Sequence, residues 1–129
     1  MNHQLQRAFE DAAWDGDTAT VTALIHHPEV DPAGGRSTAL LHAAHRGHWR
    51  CVEVLLPVSD PNARNAEALW RAAKHQHGRV VQLLRPVSNV SGWEGWMWAE
   101  LSPGMTGLVL AGQGHIAETS TADFPGIIR

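Results

Sequence analysis

The chain repeats itself, and a repeat constrains the fold more than any single motif can. Three segments align at fixed spacing. Ala8-Phe9-Glu10-Asp11-Ala12-Ala13-Trp14-Asp15-Gly16-Asp17 precedes Val21 and Leu24-Ile25. Ala39-Leu40-Leu41-His42-Ala43-Ala44-His45-Arg46-Gly47-His48 precedes Val52 and Leu55-Leu56. Ala68-Leu69-Trp70-Arg71-Ala72-Ala73-Lys74-His75-Gln76-His77 precedes Val81 and Leu83-Leu84. Ala13, Ala44 and Ala73 are related by shifts of 31 and 29 residues, and Val21, Val52 and Val81 keep the same two shifts. The difference falls in the connection 26–36, which carries Pro28, Pro32, Gly34 and Gly35. Loops tolerate such changes in length.

Each unit reads as two short helices. The Ala-Ala pair on the first lets neighbouring helices approach closely. Gly16 and Gly47 stand where the first helix must stop, because glycine takes the left-handed conformation without a Cβ penalty. The second helix shows apolar residues at helical spacing, as in Val21, Leu24 and Ile25 or Val52, Leu55 and Leu56. Pro28, Pro57 and Pro86 close these helices, and Asp31-Pro32, Asp60-Pro61-Asn62 and Ser88-Asn89 are turn formers. One unit has an apolar face that only a stacked neighbour can bury.

The segment Thr38-Ala39-Leu40-Leu41-His42-Ala43-Ala44-His45-Arg46-Gly47-His48, followed by Cys51-Val52-Glu53-Val54-Leu55-Leu56, resembles the ankyrin repeat. The family motif reads Thr-Pro-Leu-His-x-Ala-Ala-x-x-Gly-His, then Val-Val-x-x-Leu-Leu. Thr38, Leu40, Ala43, Ala44, Gly47, His48, Val52, Leu55 and Leu56 match it, and the resemblance covers residues 4–89. The departures are specific. Ala39 replaces the motif proline, Leu41 and Trp70 replace the motif histidine, and Gln76 replaces the turn glycine of the third unit. The repeats are short, so the hairpin finger of the family is expected to be trimmed. The resemblance implies an all-α helix–turn–helix solenoid of six or seven helices, with units at about 4–34, 35–63 and 64–89 and residues 90–129 as an atypical cap or tail.

After Asn89 the pattern breaks. Met97-Trp98-Ala99-Glu100-Leu101 begins a fourth helix, which Pro103 and Gly104 are expected to stop. The glycine-rich stretch 105–119, around Leu108-Val109-Leu110-Ala111, reads as a short hairpin or irregular strand, and residues 120–129 as loose. Three roles are open for this region: a cap over the end of the stack, a partner-binding appendage with Trp93, Trp96 and Trp98 as anchors, or a non-homologous tail. A stack of three units needs its end covered, which favours the cap.

Bulk properties narrow the function. A formal net charge of −3 and a pI near 6.3 do not favour nucleic acid or anionic membranes, and no apolar run reaches the ~20 residues that span a bilayer. The single cysteine, Cys51, has no internal disulfide partner, so a reducing cytoplasm is expected. It stands at a packing position of the motif, where a small buried hydrophobe is expected rather than a nucleophile. His42, His45, His48, His75 and His77 suggest a zinc site as an alternative function, but His48 and His77 fall at the family's turn-closing position. Glu10, Asp11, Asp15 and Asp17 read as a solvated acidic end. No phosphate-binding loop, nucleophile elbow or paired-cysteine spacing occurs, so no enzyme activity and no cofactor are expected.

The resemblance implies a protein-interaction module that binds a protein partner through the concave face of the first helices. By position that face offers Asp11, Trp14 and Asp15 in the first unit, His42, His45 and Arg46 in the second, and Arg71, Lys74 and His75 in the third. Trp14 is the expected hot spot if exposed. The remaining alternative is a fragment of a longer repeat array.

Overall fold

The computed structural model describes residues 3–117. Eight α-helices occur among them: α1 (His3–Asp15), α2 (Thr18–Leu24), α3 (Gly34–Arg46), α4 (Trp49–Leu55), α5 (Ala63–Lys74), α6 (Gly78–Leu84), α7 (Gly95–Ala99) and α8 (Pro103–Ala117). Odd-numbered helices are the first helices of their units and even-numbered ones the second. α3 lies between α1 and α5, and α4 between α2 and α6. Short 3-10 turns, Leu56–Val58 and Arg85–Val87, follow α4 and α6, with Pro57 and Pro86 inside them.

Sequence spacing explains the core. Phe9, Ala12 and Ala13 on α1 fall three and four residues apart, as do Leu40, Ala43 and Ala44 on α3 and Leu69, Ala72 and Ala73 on α5; all are buried. The alanines let the first helices lie side by side. Val21, Val52 and Val81 supply the same closeness between the second helices and are fully buried, as is Cys51. Burial pushes the Cys51 thiol up from its ordinary value, consistent with a packing role. Each larger core side chain contributes about 1.5–3 kcal/mol by burial, several times what an exposed ion pair adds.

The units are joined at both ends of the helices. At one end, His48 sets Nε2 3.0 Å from the Trp14 carbonyl, and His77 sets Nε2 3.0 Å from the His45 carbonyl. A carbonyl oxygen only accepts, so both imidazoles carry their proton on Nε2 and donate it. Each ring lies over the preceding turn glycine. A Cβ on Gly16 would meet the His48 ring at 2.6 Å, and one on Gly47 would meet His77 at 2.5 Å. Both glycines also take positive φ, 78° and 79°. These histidines therefore close the turn of the unit before their own.

At the other end a ladder of Asx turns recurs every 29 residues. Asp31, Asp60 and Asn89 each accept a bond from the backbone N–H two residues on, at 2.9–3.2 Å. Their own N–H groups donate to side chains 23–27 residues earlier: Asp31 to Gln6 Oε1 and Asp60 to Ser37 Oγ at the start of the same unit, and Asn89 to Asn62 Oδ1 of the preceding one. These turns stand where the hairpin finger was expected to be trimmed, and no strand occurs among the described residues. Left-handed backbone at Gly35–Ser37 and Arg64–Ala66 follows the first two turns, a conformation costing roughly 1–2 kcal/mol per non-glycine residue. The next unit holds it: Arg64 donates to the Gly35 carbonyl at 2.8 Å, and the Trp93 indole donates to the Asn65 carbonyl at 2.8 Å.

Two expectations for the C-terminal region are corrected. The stretch expected as a hairpin or strand is helix α8, and Pro103 opens it instead of stopping a helix. Proline suits a first helical turn because its missing N–H is one that no helix bond would use. Burial outweighs the glycine cost of about 1 kcal/mol each: Val109 is fully buried, Met105 and Leu108 pack on the core, and Arg85 donates to the Leu108 carbonyl at 2.9 Å. With α8 the helix number exceeds the six or seven expected. α7 and α8 cover α5 and α6, with Trp93, Met97 and Leu101 buried and the Trp70 indole donating to the Met97 carbonyl at 3.0 Å. The expectation for residues 120–129 lies outside the described residues. No helix among the described residues is long and apolar enough to cross a membrane.

Gly47→Ala is expected to destabilise the fold by well over 1 kcal/mol, because it adds left-handed strain to a collision with His77. Gln76 has φ 62° and no histidine above it, so Gln76→Gly is expected to raise stability by about 0.5–1 kcal/mol. Urea unfolding of the two variants checks the pair, and a neutral Gly47→Ala would contradict this account of the turn.

Candidate protein-binding groove

The turn histidines fix the register of the first helices, and the register brings side chains 28–32 positions apart into contact. Trp14 of α1 lies edge-on to His42 at 5.2 Å and stacked on His45 at 5.4 Å, both of α3. Arg46 covers the same indole at 4.8 Å. His45 meets His75 of α5 at 4.5 Å, and His75 meets His77 at 6.2 Å. A shallow groove lined by Trp14, Leu41, His42, His45 and Arg71 runs beside this row. A second groove, lined by residues that include Arg71, Lys74, Trp70 and Trp96, continues it toward α7. Arg71 borders both.

Of the expected site residues, Trp14, His42, His45, Arg46, Arg71, Lys74 and His75 share this surface. Trp14 is 36% exposed, half covered by its neighbours yet still open on one side. His42 is tied down as well, with Nδ1 3.4 Å from the Glu10 carbonyl. Asp11 and Asp15 are exposed on α1 but line neither groove. Asp17, grouped with them as a solvated acidic end, instead caps α2: it accepts from the Thr20 hydroxyl at 2.6 Å and the Thr20 N–H at 3.2 Å. Those bonds hold its carboxyl below the ordinary range.

Trp96, expected as an anchor of a C-terminal appendage, borders the second groove with Trp70 and Glu67, which the sequence reading did not single out as site residues, and Glu100 joins them through Lys74. Trp96 is 56% exposed, sets its ring edge-on to Trp70 at 5.6 Å and donates to Glu94 at 2.7 Å. Trp70 carries Lys74 over its ring at 5.0 Å. Glu67 pairs with Arg71 at 2.8 Å and Glu100 with Lys74 at 2.9 Å. The Glu67–Arg71 spacing of four on one helix was a readable signal. The Lys74–Glu100 pair joins two units and needed the fold.

A family model, Ankyrin repeats (3 copies), matches residues 9–91. The chain belongs to the ankyrin-repeat family. Neither the curated proteins nor the solved structures give a match. Ankyrin repeats are generally protein–protein interaction modules, and the family is typically non-enzymatic. In this ankyrin stack five histidines are used for contact: His42, His48 and His77 bond to carbonyls, and His42, His45, His75 and His77 meet other rings. Among the described residues no three of His, Cys, Asp or Glu converge on a point where a metal ion would sit.

The groove is electropositive where His45 and His75 lie. Loss of water lowers the His45 imidazole below its ordinary 6.5, followed by His75, Arg71, Arg46 and His77. His75 is lowered by loss of water, then by His77, Lys74 and Arg71. A lowered imidazole pKa means that the unfolded chain takes up protons first. As pH falls from about 6.5 through the lower folded values, stability is lost, and above that window these groups contribute no slope. Urea unfolding at pH 7.5 and 5.5 should show the parent losing more stability than His45→Gln/His75→Gln; equal losses would contradict the assignment.

Proposed function

We propose that this ankyrin stack holds a segment of a protein partner along the concave face of its first helices, without catalysis. One observation carries the reading: the two grooves meet at Arg71, so exposed aromatic surface at Trp14 and Trp96 is joined by a continuous path of imidazole and cationic groups. Exposed indoles set among charged side chains are typical of binding hot spots, because a large apolar area is buried while the rim stays wet. The residues proposed to make contact are Trp14, His42, His45, Arg46, Arg71, Lys74 and His75, with Asp11 and Asp15 at the α1 margin. Residues 1–89 form the binding stack and residues 90–129 its cap. The net negative charge and the buried lone thiol suit a protein partner in the cytoplasm over nucleic acid or a membrane surface.

Affinity purification of the tagged full chain from its native cells, followed by mass spectrometry, tests this. The parent should capture a reproducible protein that Arg46→Glu/Arg71→Glu/Lys74→Glu loses at least about tenfold, with an unchanged thermal melt. Capture that survives the triple reversal sinks the concave-face assignment.

A further inference from the structure

The groove also specifies the chemistry of what fills it. Resting on the concave-face reading above, we propose that the occupant is an extended acidic peptide segment, with carboxylates at its middle over Arg71 and Lys74 and an apolar side chain at each end against Trp14 and Trp96.

Three observations meet here. First, the charged groups that act on His45 are Arg46 on its own helix, Arg71 and His75 on α5, and His77 in the following turn; those that act on His75 are Lys74, Arg71 and His77. Arg46, Arg71 and Lys74 supply the standing positive charge, Arg71 and Lys74 being paired with the exchangeable Glu67 and Glu100, and the ring set against His45 from α1 is the uncharged Trp14. The centre of the groove therefore has a positive field in a chain whose net charge is −3. A carboxylate supplied from outside complements it, and a lysine-rich segment would be repelled. Second, the carboxylates that Arg71 and Lys74 hold now are exposed partners. The four side chains of the two pairs are 21–44% exposed. Such pairs contribute little, so an incoming carboxylate exchanges with Glu67 or Glu100 at small cost. Third, the two open indoles stand at opposite ends of the positive stretch. Trp14 leans from α1 onto α3, and Trp96 from α7 onto α5. Helices packed at about 8–10 Å put these rings roughly 16–20 Å apart. An extended chain rising about 3.3 Å per residue covers that in five or six residues. The acidic side chains Asp11 and Asp15 belong to α1, which favours carboxylates over α5.

Binding of this kind draws protons. A carboxylate laid beside His45 and His75 reverses the field on both imidazoles and favours their charged form. Affinity should therefore rise as pH falls from about 7.5 to about 6.

The test titrates the full chain with three synthetic peptides, following tryptophan fluorescence and heat. Each peptide places leucines six residues apart, with two glutamates, two glutamines or two lysines between them in a Gly/Ser spacer. The glutamate peptide should bind about tenfold more tightly than the glutamine peptide, and several-fold more tightly at pH 6 than at pH 7.5. His45→Gln/His75→Gln should remove the pH dependence, so that the glutamate peptide binds equally at about pH 6 and about pH 7.5. Trp96→Ala, which removes an exposed side chain, should weaken binding about tenfold with an unchanged melt. Equal affinity for the glutamate and glutamine peptides, or preference for lysine, overturns the acidic assignment; if Trp14→Ala and Trp96→Ala still weaken that binding, the groove reading stands. Glutamate-peptide binding indifferent to both tryptophan substitutions overturns the acidic assignment and the groove together. Failure of all three peptides to bind at millimolar concentration overturns the acidic assignment alone, and partner capture by the charge-reversed chain then judges the groove.

Discussion

An imidazole N–H resting on the carbonyl of the turn below it sets the geometry on which the groove depends. His48 reaches Trp14 and His77 reaches His45. Each bond is worth only about 1 kcal/mol net, far less than the burial of Phe9, Leu40 or Leu69. Burial is non-directional, however, and would accept several ways of sliding one alanine-lined helix along another. The histidine accepts one. Its ring fits where a glycine has no Cβ, and its proton finds an acceptor only in that position. Asp31, Asp60 and Asn89 act in the same directional way at the opposite end of the helices, where a side chain 23–27 residues earlier receives the backbone N–H of each turn.

Fixed register is what turns separate side chains into a surface. Trp14, His45 and His75 come from three helices and are far apart in the chain, yet their rings touch in sequence. Arg46, Arg71 and Lys74 then lie close enough to oppose a proton on the imidazoles they flank. The electrostatics of the groove is thus a product of the stacking, since an isolated second unit would present only His42, His45 and Arg46 to water, and an isolated third only Arg71, Lys74 and His75.

Much of this was legible in the residues. The recurrence of Ala13, Ala44 and Ala73 placed the first helices, and Gly16 and Gly47 placed their ends. The bland reading of His48 and His77 as turn residues was sound as far as it went, but the partner of each is one unit back and has no local signal. The C-terminal region was misread because glycine and proline were weighed by propensity. Pro103 sits where proline costs nothing, and the apolar stretch around Val109 buries enough surface against α6 to keep Gly104 and Gly107 helical. Within the groove, Trp14 and the cations followed from position in the motif. Trp96 was legible only as an anchor of a separate appendage, because it lies beyond the last full repeat, and Glu100 finds Lys74 only once α7 has docked on α5.

Gln76 gives the stack a direction of growth. Its backbone keeps the left-handed turn, but it carries the Cβ that at Gly16 or Gly47 would collide with the histidine ring of the next unit. A tandem duplication of residues 35–63 would place Gly47 beneath each new histidine and lengthen the array without a defect. A duplication of residues 64–92 would set a second His77 against Gln76 and fail at that joint. The turn of the second unit thus accepts a tandem copy of itself, while that of the third accepts only a neighbour without the turn histidine.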